Sequence, residues 1–312
     1  MSLIYKNNGP IDPTIPPDLS RLKGKSVIIT GGSSGLGAAY VDSFLSHSAY
    51  VTNADIQSRT LPPSLEEKHQ SNYQYLKCDV RSWSDQLTVF KAAMTNSPGR
   101  NVDIVVANAG ITGKDPIWTM DESEDPEEPD LRIIDICLRG VLYTTKLSLH
   151  YFTKCTTSDK CLILKSSLAG YLDLPGATSY QCAKYAVRGL MCNLRNSGFC
   201  RVNVIAPWFI ATPIMSEQVI EILGKNLKDK NSDWAEVEDS AKAVIRVAAD
   251  ETINGRTIAI VPRLERKEGY MDMGFDDYPA GSDQERWQTM ILGLTHRTLP
   301  QEVQSRNKEV EE

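Results

Sequence analysis

Three residues of this chain have the types and spacing needed to move a proton at an alcohol: Tyr180, Lys184 four positions later, and Ser167 thirteen positions before the tyrosine. On a helix, a spacing of four stacks the phenol and the ammonium on one face. A cation held beside a phenol favours the phenolate and draws its ordinary pKa of about 10 toward working pH. Such a tyrosine can take a proton from an alcohol or return one to a ketone. The same spacing arises by chance on exposed helices, so the pair needs a second signal.

That signal is a glycine-rich segment near the other end of the same domain, Thr30-Gly31-Gly32-Ser33-Ser34-Gly35-Leu36-Gly37. It follows a short β-branched run at 26–30 and precedes a helical pattern at 36–47. Glycines there permit a tight turn and close backbone approach to a pyrophosphate, and the helix N-terminus behind them supplies amide donors and a favourable dipole. Asp55, eighteen residues beyond Gly37, ends a second strand at 50–54. A carboxylate there can accept both ribose hydroxyls of an adenosine and repels a 2′-phosphate, which favours NAD over NADP. Ser33 and Ser34 offer no basic group in the turn; Arg59 is the nearby cation able to soften the preference.

The elements that must position these groups alternate. Strands are expected at 26–30, 50–54, 73–77, 103–107, 161–165, 201–205 and 257–261, with helices at 36–47, 83–95, 131–152, 179–196 and in a region ending near 250. This rhythm predicts an α/β fold: one Rossmann-type doubly wound parallel sheet of about seven strands, helices on both faces. The domain is expected to span 23–262, preceded by a proline-rich polar arm at 1–22. Residues 263–312 are expected to form an extension that wraps the core or a neighbouring subunit, with a helix at 283–294 and the last ten residues disordered. An acidic stretch at 121–130 (DESEDPEEPD) reads as a solvated loop.

Composition narrows the class. The 312 residues are 41% hydrophobic and 24% charged, with a net charge of -6, and the pI is near 5.4. Mild acidity argues against nucleic acid or an anionic membrane as partner. No apolar run approaches the ~18 residues of a membrane span, and the first twenty residues lack a signal-peptide pattern. Seven scattered cysteines without a CxxC pair, and four histidines without a ligand-type neighbour, predict reduced thiols, no metal and a cytoplasmic setting.

With the glycine segment, Asp55, Ala107-Asn108-Ala109-Gly110, Ser167 and Tyr180-Gln181-Cys182-Ala183-Lys184 in this order, the chain resembles the short-chain dehydrogenase/reductase family over roughly residues 20–262. The phrase Ala206-Pro207-Trp208-Phe209-Ile210-Ala211-Thr212 and the long tail resemble a fungal, prostaglandin-dehydrogenase-like branch that includes the hydroxyaverantin dehydrogenase type. The resemblance implies that Tyr180 is the general acid/base, and that Lys184 tunes it while binding nicotinamide ribose. Ser167, selected over Ser166 by its offset, would hydrogen-bond the substrate oxygen. It also implies that Asp79 and Val80 face the adenine, that Asn108, Ala109 and Gly110 line the cofactor floor, and that Ile210 and Thr212 meet the carboxamide. Family habit implies a homodimer or homotetramer paired through the helices at 131–152 and 179–196.

The chain departs from the family pattern at two places. Cys137 stands where an asparagine commonly helps hold a water that serves the lysine, and a thiol is a poor hydrogen-bonding substitute. Trp208 replaces the usual glycine after the sixth strand, to pack on protein or on substrate. Substrate choice falls to Leu168, Leu174 and the segment 213–227, whose Ile214, Met215, Val219, Ile220 and Leu223 suit an apolar ligand or packing on the sheet. The expected activity is NAD-dependent interconversion of a secondary alcohol and a ketone on an apolar, polyketide-like substrate of secondary metabolism. A non-redox enzyme of the same fold (isomerase, dehydratase or cyclase) is the alternative, and a non-catalytic dinucleotide sensor ranks last because Tyr180 and Lys184 are both present.

Overall fold

The computed structural model describes residues 5–118, 120 and 125–295. Its centre is one eight-stranded sheet in the order β3-β2-β1-β4-β5-β6-β7-β8. The strands are β1 (Ser26–Thr30), β2 (Tyr50–Asp55), β3 (Tyr73–Lys77), β4 (Ile104–Ala107), β5 (Cys161–Lys165), β6 (Arg201–Pro207), β7 (Thr257–Ile260) and β8 (Tyr270–Asp272). All pairings are parallel except β7 with β8. The seven expected strands are present, and the eighth comes from the C-terminal extension. Parallel neighbours require a helical crossover, and the order reverses between β1 and β4, the switch point where open α/β sheets bind ligands.

Side chains alternate across each strand, so the sheet has two apolar faces. Val27, Ile29, Ile104, Val106 and Ile163 share a buried cluster with residues of α1 (Gly35–Ser46) and α8 (Val237–Ala249). Ile28, Val105, Leu162 and Leu164 face the other way, into α3 (Trp83–Asn96), α5 (Gly140–Phe152) and α6 (Thr178–Leu194). Each such Val, Ile or Leu contributes about 1.5–3 kcal/mol on burial. Two short helices complete the first half of the chain, α2 (Pro63–His69) and α4 (Arg132–Ile134).

The helix expected at 131–152 is interrupted. Between α4 and α5, Asp135–Arg139 forms a π-helical turn with Cys137 buried inside it. Gly140, directly after the turn, is where Val80 crosses the helix: an added Cβ would stand 2.9 Å from a Val80 methyl. Beyond β6 come α7 (Glu217–Asp229) and, after β8, α9 (Asp283–Thr295). The extension is fastened by ion pairs. Asp272 on β8 receives both arms of the Arg256 guanidinium at 2.7 and 2.9 Å and the Ile11 amide at 3.0 Å, so the N-terminal arm and the extension meet at one carboxylate. Asp276 receives Arg188 of α6 at 2.8 Å. The expected disorder at the extreme C-terminus lies outside the described residues.

Candidate active site

The functional side chains collect at the C-terminal ends of β1, β4, β5 and β6. After β1 the chain turns at Gly31, with φ +67° and its Cα side so close to Ala109 that a Cβ would lie 2.8 Å from the Ala109 Cα. A Cβ on Gly37 would lie 1.9 Å from the Gly31 carbonyl oxygen. Only bare backbone fits at these two contacts. Ser34 is the N-cap of α1 and makes no side-chain cap bond, which leaves first-turn amides open to an anion. Gly35 faces Thr212, whose Cβ would be 3.4 Å from a Cβ added there, so the β6 exit closes over the glycine turn. Ile210 and Thr212 are both buried.

Asp55 ends β2 beside the glycine turn. Its carboxylate accepts the Ser33 amide at 3.0 Å and the Gln57 amide at 3.0 Å. Arg59 is committed elsewhere: its guanidinium donates to Asp42 at 2.9 and 3.1 Å and to the Ala38 carbonyl at 2.9 Å. Asp79 is gripped by the Arg81 fork, which holds its carboxyl below the usual range, and Val80 is buried against the long helix. Asn108 turns inward, its amide donating to the Thr30 and Gly31 carbonyls at 3.0 and 3.1 Å; it pins the glycine turn to β4. Leu36 is half-buried behind the turn and packs on the core.

At the other end, α6 carries Tyr180 and Lys184. The Lys184 ammonium is buried, donates to the Lys165 carbonyl at the end of β5 (3.0 Å), and stands 5.3 Å from the centre of the Tyr180 ring. A Cβ on Gly110 would meet both Lys184 Nζ at 3.7 Å and Cys137 Sγ at 3.5 Å. Lysine, the end of β4 and the π turn therefore share one corner. Ser167 Oγ accepts the Ala169 amide at 3.2 Å, and its hydroxyl points toward the Pro207 carbonyl at 3.5 Å, too far to hold it. That proton is free to serve a ligand oxygen. Ser166 instead donates to the Lys184 carbonyl at 2.9 Å, anchoring α6.

Cys137 does replace part of an amide's work. Its Sγ accepts the Ile111 amide at 3.4 Å and donates to the Ile111 carbonyl at 3.3 Å, tying the π turn to the segment after β4. Trp208 packs on the core, meets Phe209 edge-on, and leaves its buried Nε1 without a partner. With Phe209, Leu223 and Leu227 it lines an apolar cavity of about 500 Å³ beneath α7. Ile214 and Val219 are exposed, so the segment 213–227 does not pack flat on the sheet.

Two residues of the site escaped the sequence. Gly170 lets the turn after Ser167 touch α6: a Cβ would lie 2.6 Å from Ser166 Oγ and 2.7 Å from the Lys184 carbonyl oxygen. Asp115 reaches the first amide of α6, Thr178. A usable signal for the second was Ala177, a helix-start residue unable to cap its own helix.

A cradle that only glycine fits, open amides at a helix N-terminus, a carboxylate at the end of β2 and a lysine-backed tyrosine lie along one edge of the sheet, a donor and acceptor set of the kind that could hold a dinucleotide. A profile described as short chain dehydrogenase matches residues 25–221. The chain belongs to that family, whose members are oxidoreductases that bind a nicotinamide cofactor. It is 34% identical over 279 residues to a 5′-hydroxyaverantin dehydrogenase of Dothistroma septosporum, covering 83% of this chain and 90% of the relative. It is 33% identical over 290 residues to a 5′-hydroxyaverantin dehydrogenase of Emericella nidulans (86% and 92% covered). An NADP-dependent dehydrogenase of a Phoma species is 30% identical over 80% of this chain and 78% of its own. In fold it matches the ligand-free aldohexose dehydrogenase of Thermoplasma acidophilum with a TM-score of 0.64, at 23% identity, over 77% of this chain and 94% of that one.

Proposed function

We propose that this protein interconverts a secondary alcohol and a ketone with NAD, on an apolar, polyketide-like secondary metabolite, with Tyr180 as general acid/base. The observation that carries the reading is the Lys184 ammonium, buried 5.3 Å from the Tyr180 ring beside Gly110 at the mouth of the glycine-lined cleft. Gly31, Ser33, Ser34, Gly35 and Gly37 would hold the pyrophosphate, Asp55 the adenosine ribose, Lys184 the nicotinamide ribose, and Ile210 and Thr212 the carboxamide. The bound nicotinamide supplies a hydride acceptor or donor. Tyr180 takes the hydroxyl proton during oxidation and returns it during reduction. Lys184 stabilises the charge that develops on the phenol oxygen, and Ser167 donates its free hydroxyl proton to the substrate oxygen.

NAD is favoured because the Asp55 carboxylate beside the glycine turn would repel a 2′-phosphate and Arg59 is spent on Asp42 and Ala38. The relatives named for hydroxyaverantin support a secondary-metabolite alcohol. No described helix is long and apolar enough to cross a membrane. Exposed Leu142 on α5 and Tyr185 on α6 are in keeping with pairing of two copies through these helices. The test is a panel of benzylic secondary alcohols, α-tetralol included, with NAD⁺ and NADP⁺ side by side, followed at the reduced-nicotinamide absorbance. Reduction of NAD⁺ well ahead of NADP⁺ supports the proposal; product formation with no absorbance change would transfer it to a non-redox enzyme.

A further inference from the structure

We propose that Asp115 is a positioning residue for Tyr180: by capping α6 from outside the helix, it sets the depth at which the phenol stands beside Lys184. The proposal rests on the reading of Tyr180 as the proton carrier and adds the device that holds it.

Tyr180 is the third residue of α6, in the first turn, where a helix has amides without intrahelical partners. Ordinarily a Ser, Thr, Asp or Asn at the N-cap supplies the acceptor. Here the N-cap is Ala177, which makes no side-chain bond. The acceptor comes from 63 positions earlier in the chain: Asp115 Oδ2 receives the Thr178 amide. Its other oxygen receives the Ile117 amide at 3.1 Å, so the carboxylate also shapes its own loop. Asp115 is buried. Burial alone would raise its pKa, but hydrogen bonds from Thr178, Ile117 and Ser179 outweigh burial and hold the carboxyl below the usual range. An anion at this end of α6 also suits the helix dipole.

The segment that carries Asp115 is fastened at both ends of the site. At its start, the Ile111 amide and carbonyl are both bonded to Cys137 Sγ in the π turn. At its finish, Trp118 Nε1 donates to Thr178 Oγ1 at 2.9 Å. Residues 111–118 therefore form a strap from the corner that holds Gly110 and Lys184 to the first residue of α6. Past Tyr180, α6 is anchored independently, by Ser166 on the Lys184 carbonyl and by Asp276 on Arg188. Tyr180 lies between the two sets of anchors. The later set fixes Lys184; the strap fixes the turn from which the phenol hangs. A proton carrier displaced by about 1 Å can lose about 10²-fold in rate, so this turn matters more than its share of the fold's stability.

The test compares Asp115→Ala, the double variant Asp115→Ala with Ala177→Asp, and Tyr180→Phe in the full chain. Readouts are kcat and KM on α-tetralol with NAD⁺, the NADH dissociation constant by fluorescence, and amide hydrogen exchange across residues 178–184. Asp115→Ala is expected to speed exchange in that stretch and to lower kcat by about 10- to 100-fold, with NADH affinity kept within about twofold. The double variant, which returns an acceptor to the helix start in cis, is expected to slow exchange again and to recover most of kcat. Unchanged exchange in Asp115→Ala overturns the cap, with or without turnover. So does a kcat that stays low once the double variant has restored slow exchange. Tyr180→Phe separates the two levels: if it still turns over, the proton-carrier reading falls. If it is inactive while Asp115→Ala keeps full kcat, the positioning role falls alone.

Discussion

Lys165 ends β5 directly before the two site serines, with its side chain on the face covered by α1 and α8. Its Nζ donates to the Tyr40 hydroxyl at 3.0 Å, and that hydroxyl meets Ser240 Oγ at 2.6 Å. Burial away from water, and secondly the Lys184 ammonium, hold the Lys165 amine well below the usual lysine range. Between its folded-state pKa and the unfolded value of about 10.4, the folded chain carries Lys165 neutral and the unfolded chain carries it protonated. The unfolded state then binds more protons, so this residue makes stability rise with pH and costs stability as pH falls. Lys165→Met keeps the volume and removes the proton. Urea unfolding of both proteins at a series of pH values should show the variant gaining on wild type as pH drops from ~10.4, by about 1.4 kcal/mol per pH unit. The gain should level off where the folded protein protonates Lys165, and that break reads its folded-state pKa. Parallel stability curves across the whole range would mean that Lys165 stays charged in the folded protein, and would refute the reasoning.

Asp42→Ala should release the Arg59 guanidinium to serve a 2′-phosphate and raise the NADP⁺-to-NAD⁺ ratio of kcat/KM by about tenfold, roughly 1.4 kcal/mol; an unchanged ratio would show that Arg59 is not the restrained cation. Asp272→Ala leaves the buried Arg256 guanidinium short of its fork partner and frees the Ile11 amide. Asp277 still pairs with Arg256, so the cost in urea unfolding should be about 1.5–3 kcal/mol, the scale of hydrogen bonds to a charged group, whereas a loss under about 1 kcal/mol, the scale of a surface ion pair, would mean that the extension is not braced there.

The strands and the glycine turn were legible because their signals are local. Val27-Ile28-Ile29 and Ile104-Val105-Val106 are β-branched runs, and the glycines follow the first of them within the same stretch. Tyr180 and Lys184 were legible by spacing, and the structure does stack them. The π turn was not, since Asp135–Arg139 repeats the apolar pattern of an ordinary helix and its extra residue shows only in hydrogen bonding. Helix α2 buries no residue and so carries no periodic signal. β8 is three residues long and owes its place to Asp272 meeting Arg256, a pairing with no trace in either segment alone. Asp115 belongs with these: its partner amide is far along the chain, and only the unsuitable Ala177 hinted that a cap must arrive from elsewhere. Trp208 was expected to pack on protein or on substrate, with no local signal to choose between them. It packs on protein, and it also walls the cavity under α7.

The central claim is that one phenol, backed by one ammonium, carries the proton beside a bound nicotinamide. Tyr180→Phe removes that oxygen and nothing else, so turnover and NADH binding measured on the same preparation test it most directly. The account predicts kcat lower by about 10²–10⁴-fold, with the NADH dissociation constant nearly unchanged. A phenylalanine variant that oxidises alcohol at the parent rate would contradict it.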